Sequence, residues 1–200
     1  LLKLGPGSSV IDLCAAPGGK TMQLAATGAD VTALDLSEKR LERVRENLGR
    51  TGLSATLVAG DALTYKPAQP VDAVLLDAPC TATGTLRRHP EAAWIKRADD
   101  TGRMARLQDE MIKAAAGMLK PGGQLVLCTC SLQPEEGEAL AGRVAGRHRQ
   151  LKESPIQPDE LAGVESALTP AGWVRLTPAL WAEQGGMDGF FIARFIKRAG

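Results

Sequence analysis

Apolar residues alternate along this chain between short continuous runs and helical stripes. Runs of strand length, bounded by turn residues, cover 10–14, 31–35, 55–59, 71–76 and 124–129, and a last one covers 190–196. Between them lie helical patterns. A small-residue loop, Ala15 to Thr21, opens into a short helix over 22–26. Ser37 is placed to cap a helix reaching Arg50, with Leu41, Val44 and Leu48 on one face. A third helix over 101–119 is amphipathic through Met104, Leu107, Met111 and Met118, and Lys120-Pro121-Gly122-Gly123 stops it. A fourth begins near Pro134-Glu135-Glu136, whose acids suit a helix start. Residues 79–99 read as a long loop, and 150–185 carry too little periodicity to assign. The alternation predicts an α/β fold with a doubly wound, mostly parallel sheet.

In such a sheet, side chains just past the carboxyl ends of the strands face a ligand crevice. Asp77-Ala78-Pro79-Cys80 and Cys128-Thr129-Cys130-Ser131 each follow an apolar run. One carboxylate and two thiols are therefore expected to converge on one cleft. The 200 residues, 44% hydrophobic and 24% charged, suit a single domain with a sizeable core. A net charge of +1 excludes a histone-like nucleic-acid binder, so any RNA contact has to come from local patches. Four cysteines without a secretory leader read as a chain of the reducing cytoplasm. No apolar run approaches the roughly 20 residues of a membrane helix. The chain opens without Met and is almost at once in a core strand, which reads as a domain of a longer protein.

Small residues after a first strand let backbone approach a ligand closely. Asp35, ending the second strand, is placed to bind a ribose diol, and Asp61, ending the third, could accept from an adenine amine. The loop is neither G-x-G-x-x-G nor a P-loop, so the pattern suits an adenosine-containing ligand without phosphates. Each acid could instead be a turn or helix cap, Lys20 a solvated lysine and Cys14 a small core residue. The thiols allow three readings: a zinc site, for which the spacing is poor; a redox pair, which prefers C-x-x-C; or covalent catalysis by one thiolate.

Taken together and in order, Asp12-Leu-Cys-Ala-Ala-Pro-Gly-Gly-Lys20, Gly60-Asp61, Leu76-Asp77-Ala-Pro-Cys80, Thr83-Gly84, Arg87-Arg88-His89-Pro90, Thr129-Cys130-Ser131, Pro134-Glu135-Glu136 and Asp188-Gly-Phe-Phe191 resemble the RNA cytosine-5 methyltransferases of the Sun/Fmu type. The resemblance implies a seven-stranded, Rossmann-like sheet with its last strand antiparallel, S-adenosylmethionine as cofactor, no metal, and RNA, ribosomal RNA first, as partner. It also implies that the RNA-binding region usual upstream is absent from residues 1–200.

Carried over by residue, Cys14, Ala15, Ala16, Pro17, Gly18, Gly19 and Lys20 wrap the methionine and sugar, Asp35 takes the ribose, Arg40 touches the cofactor and Asp61 meets the adenine edge. Asp77 lies beside cofactor and base, where a raised pKa would let it neutralise N3 of cytosine. Cys130 matches the nucleophile that adds to C6, and Cys80 the cysteine that helps release product. Cys128 is an extra thiol expected on the opposite side of its strand. Arg87, Arg88 and Lys96 are expected to meet RNA phosphates, and Trp94 is either core or a stacking platform. The competing readings are the same fold acting on tRNA or DNA cytosine, a non-catalytic RNA-binding module that keeps the pocket, and an NAD-dependent oxidoreductase.

Overall fold

Eight strands form one sheet, as described by a computed structural model for residues 1–95, 97 and 99–199. In chain order the elements are β1 (Ser9–Leu13), α1 (Gly19–Ala25), β2 (Asp30–Asp35), α2 (Glu38–Thr51), β3 (Thr56–Ala59), β4 (Val71–Asp77), α3 (Ala92–Ile95), α4 (Asp100–Met118), β5 (Leu119–Thr129), α5 (Glu138–Arg147), β6 (Leu151–Glu153), β7 (Val174–Leu176) and β8 (Phe190–Lys197). The strand order is β3-β2-β1-β4-β5-β8-β6, with β7 also paired to β8. Strands β1 to β5 pair in parallel, and β8 runs antiparallel to β5, β6 and β7.

The doubly wound sheet and the antiparallel last strand agree with the sequence reading; the strand count does not. The eighth strand comes from the stretch left unassigned. Both β6 and β7 have three residues, too few for an alternation to stand out, and they are strands only because β8 offers them an edge.

Local chemistry explains most of the boundaries. The Ser37 hydroxyl accepts the Arg40 N–H at the start of α2. Gly52, at φ 67°, closes that helix in the left-handed conformation that other residues adopt only at a cost. Leu41, Val44 and Leu48 of α2 pack on Ala33 of β2. On the other face of the sheet Met111, Ile112 and Ala115 of α4 and Leu140 and Val144 of α5 cover Leu76, Leu125 and Phe195. The expected fourth helix begins later than its acids suggest. Pro134–Glu136 is a 3₁₀ turn, and Glu136 is fully buried rather than exposed at a helix start. Among the described residues no helix is long and apolar enough to cross a membrane.

Phe195 sits at the centre of this core with 0% exposure. Phe195→Ala is expected to cost about 3–5 kcal/mol, read as a lower urea midpoint at unchanged slope.

Candidate functional site

The chain lays down β1, β2 and β3 in one direction and then crosses back to place β4 beside β1, so the strand order reverses between β1 and β4. Ligand crevices form at such reversals. A cleft of about 450 Å³ opens there, reached by residues from the carboxyl ends of β1 to β5 and walled by Leu107 and Met111 of α4. A larger hollow of about 730 Å³, between Tyr65 and Lys113, is lined by no cysteine and no aspartate. Chemistry, not size, marks the smaller one.

One end of the cleft carries the acids. Asp35 is buried, its carboxylate accepting the N–H groups of Ala16 and Ser37 at 3.1 Å each, with the Arg40 guanidinium 3.4 Å away. Arg40 also donates to the Ala16 carbonyl at 2.9 Å, so the pair fixes the loop after β1 as well as facing the cleft. Asp61 closes a turn by accepting the Leu63 N–H at 2.9 Å.

Sequence reading missed Leu36 and Leu63, the apolar residues just past these acids. Leu36 is 76% exposed, and both line the cleft. An apolar side chain one or two places after a strand-end acid is the signal that could have found them. Of the loop residues expected to wrap a ligand, Cys14 and Ala16 reach the cleft, while Ala15, Pro17, Gly18, Gly19 and Lys20 lie outside its lining. The loop is drawn toward α2 instead, where Asn47 donates to the Pro17 carbonyl at 3.0 Å and Val44 packs beneath Gly18.

Two groups nearby, the half-buried Cys14 and the buried Asp12, are shifted strongly. Burial, with Asp35 and Asp77 adding to it, pushes the Cys14 thiol up to about 12, which favours its protonated form. Asp12 in β1 is raised to about 7, chiefly by burial, although the Thr21 hydroxyl donated at 2.6 Å works the other way.

The other end carries the thiols. The Cys80 and Cys130 sulfurs are 3.5 Å apart, within a sulfur hydrogen bond. That contact lowers Cys130 from its ordinary value against the pull of burial, and it raises Cys80, with burial adding to the rise. Cys130 is thus the more acidic thiol of the pair and Cys80 the less acidic.

Asp77 lies in the same cleft and accepts the Lys20 ammonium at 2.7 Å. Burial works to lower the Lys20 ammonium, but Asp77 and its neighbours outweigh that and hold it above its ordinary value. The Lys20 Nζ also stands 5.0 Å from the Phe190 ring centre. Cys128 faces away as expected, packed with Leu75 and Val126, its S–H 3.5 Å from Asp77. The reason lies in β5, which ends at Thr129; the chain turns before Cys130 and the two-residue alternation stops.

The expected RNA contacts are tied down. Arg88 donates Nε and Nη2 to Asp188, and Arg87 donates to the Gly185 carbonyl at 3.0 Å, so the two loops form one rim. Trp94 is 91% exposed and therefore not core. Lys96 lies outside the described residues.

A family model described as 16S rRNA methyltransferase RsmB/F matches residues 1–196. A curated relative, ribosomal RNA small subunit methyltransferase B of Pseudomonas syringae pv. tomato, is 43% identical over all of this chain, which spans 45% of that relative's length. Among solved structures, NSun6 from Pyrococcus horikoshii with SFG superposes with a TM-score of 0.79 at 30% identity, covering 96% of this chain and 48% of that one. A methyltransferase homolog protein from Pyrococcus horikoshii gives a TM-score of 0.75 at 32% identity, covering 98% and 63%.

Two outcomes follow from the shifts. Cys80→Ala removes the sulfur contact that lowers Cys130, so the pH midpoint for alkylation of Cys130 by iodoacetamide should rise and its rate at pH 7 should fall. The folded chain holds a proton on Asp12 up to about pH 7, whereas an unfolded chain releases it near 3.8. This raised value makes stability fall as pH rises through that window. Asp12→Asn should flatten the slope, gaining on the order of 2–4 kcal/mol over wild type at pH 8 in chemical denaturation.

Proposed function

Since this chain belongs to the 16S rRNA methyltransferase RsmB/F family, we propose that it is the catalytic domain of an enzyme that methylates C5 of a cytosine in RNA, with small-subunit ribosomal RNA as the substrate and S-adenosylmethionine as the donor. The carrying observation is the cleft itself. It holds a thiol pair 3.5 Å apart at one end and two strand-end carboxylates beside exposed apolar side chains at the other.

A nucleoside suits the second end. Leu36 and Leu63 offer apolar faces to a purine, and Asp35 and Asp61 offer acceptors for a diol and an exocyclic amine. The neighbour crystallised with SFG, an analogue of S-adenosylmethionine, supports this choice. S-adenosylmethionine supplies an electrophilic sulfonium methyl.

C5 of cytosine is too weak a nucleophile to take that methyl unaided. The base must leave its stack to reach the cleft. The Cys130 thiolate then adds to C6, which makes C5 enamine-like. Asp77, which lines the cleft and is ion-paired with Lys20 behind it, is the group proposed to meet N3; a proton carried between the two would neutralise the charge that builds there. A protonated carboxyl on Asp77, one form the sequence allows, is not required when an ammonium stands 2.7 Å away.

The thiol pair also orders the later step. In the free enzyme the two sulfurs are in contact, and the raised Cys80 favours keeping its proton there while Cys130 is lowered. Once that sulfur is bonded to carbon it is no longer a thiolate, and the influence that raises Cys80 is lifted. Cys80 can then release its own proton to solvent and, as the thiolate, accept the C5 proton, after which the Cys130 thiolate is expelled and the methylated base is released. Arg87 and Arg88 on the rim are proposed to meet phosphates.

Incubated with donor and target RNA, Cys80→Ala should accumulate a protein–RNA complex that survives a denaturing gel, while Cys130→Ala should form neither complex nor methylated product. The reverse pattern would make Cys80 the nucleophile, the arrangement of DNA cytosine enzymes. No complex from either variant or from wild type would overturn the covalent route.

A further inference from the structure

Glu136 is fully buried and does not line the cleft, yet its carboxylate accepts hydrogen bonds from residues of three separate segments. Its Oε1 accepts the Thr81 N–H at 3.0 Å and the Gln108 amide at 3.2 Å. Its Oε2 accepts the hydroxyls of Thr81 and Ser131, each at 2.5 Å. Thr81 follows Cys80 and Ser131 follows Cys130. The other side of each cysteine is held as well: Gln108 donates to the Pro79 carbonyl at 2.8 Å, and the Thr129 hydroxyl donates to the Glu136 carbonyl at 3.1 Å. Both cysteines are therefore bracketed, fore and aft, by bonds that end on Glu136 or Gln108.

We propose that Glu136 is a positioning residue, whose buried carboxylate gathers the loops after β4 and β5 to one point and so sets the spacing of the Cys80 and Cys130 sulfurs. The inference rests on reading those thiols as the reacting pair.

The energetics favour placement over mere cohesion. A buried carboxylate costs free energy unless its oxygens are fully hydrogen-bonded, and an apolar group of similar size would hold two loops together at less cost. A carboxylate adds direction. Four donors converging on two oxygens leave little freedom to residues 81 and 131, and the cysteines are their neighbours in the chain. The Gly84 N–H on the Cys130 carbonyl, at 2.8 Å, fixes the backbone. A Cβ at residue 84 would lie 2.7 Å from that carbonyl oxygen and closer still to that of Gly189, so only glycine allows the approach. Glu136 fixes what remains. The sulfur contact is short-ranged, and a few tenths of an ångström at these loops decide whether the Cys80 and Cys130 sulfurs meet at all.

The test reads the thiols without RNA. In Glu136→Gln, an amide puts N–H groups where two hydroxyls and a backbone N–H now donate. The midpoint for iodoacetamide alkylation of Cys130, resolved from Cys128 by peptide mass mapping, should move up by about one pH unit. Methyl transfer to RNA should fall on the order of tenfold or more in kcat, with the KM for the donor little changed. Glu136→Asp keeps the charge on a shorter arm and should recover part of both. A folded Glu136→Gln with an unmoved midpoint overturns the proposal. Should Glu136→Gln fail to fold, the double variant Thr81→Val with Ser131→Ala deletes the two hydroxyl donors alone, and an unmoved midpoint there overturns it equally. A shifted midpoint in a chain whose wild type forms no RNA adduct would uphold Glu136 as the positioning residue of the thiol pair while removing the proposed reaction, so the two failures are told apart.

Discussion

The parallel pairing of β4 with β5 places Asp77 opposite Cys128, and everything about the site follows from that register. Two strands that end side by side send their loops out side by side. The loop carrying Cys80 and the loop carrying Cys130 leave the sheet as neighbours although fifty residues separate them in sequence. A slip of one residue would turn Asp77 toward the other face and part the sulfurs. The register is held by Val74, Leu76, Leu125 and Leu127, all at 0% exposure, so the apolar core under the site is also its ruler.

Above that ruler the site is arranged as charge over apolar packing. Asp35 and Arg40 stiffen one side, Lys20 and Asp77 the centre, and the Glu136 cluster the far side. Each ionised group is paired or multiply hydrogen-bonded, as burial demands. The result is one thiol, Cys130, lowered by its contact with Cys80, while Cys80 is raised by that contact and Cys14 and Cys128 by burial and nearby carboxylates. Four cysteines of one composition thus have three chemistries, and only surroundings distinguish them.

Much of this was legible beforehand. The capped helix from Ser37, the five apolar runs that became β1 to β5 and the closing strand β8 were plain, because each rests on local periodicity or on a cap within a few residues. The strand-end positions of Asp35, Asp61, Asp77 and Cys80 were equally plain, and the structure brings all four to one cleft with Cys130. Less legible was Glu136, which in sequence is one of two acids at a helix start. Nothing local says that it turns inward, since the donors it meets come from residues 81, 108 and 131. Likewise β6 and β7 have no pattern of their own and exist because β8 presents an edge.

The sequence by itself determined which elements form, in what order, and which reactive side chains stand where strands end, because backbone preference and apolar spacing act over a few residues. Only the folded chain decided which thiol would be acidic, which carboxylate would meet an ammonium and which glutamate would be buried. Those outcomes depend on distances of three or four ångströms between residues far apart along the chain, and electrostatics in a poorly solvated interior changes steeply over such distances.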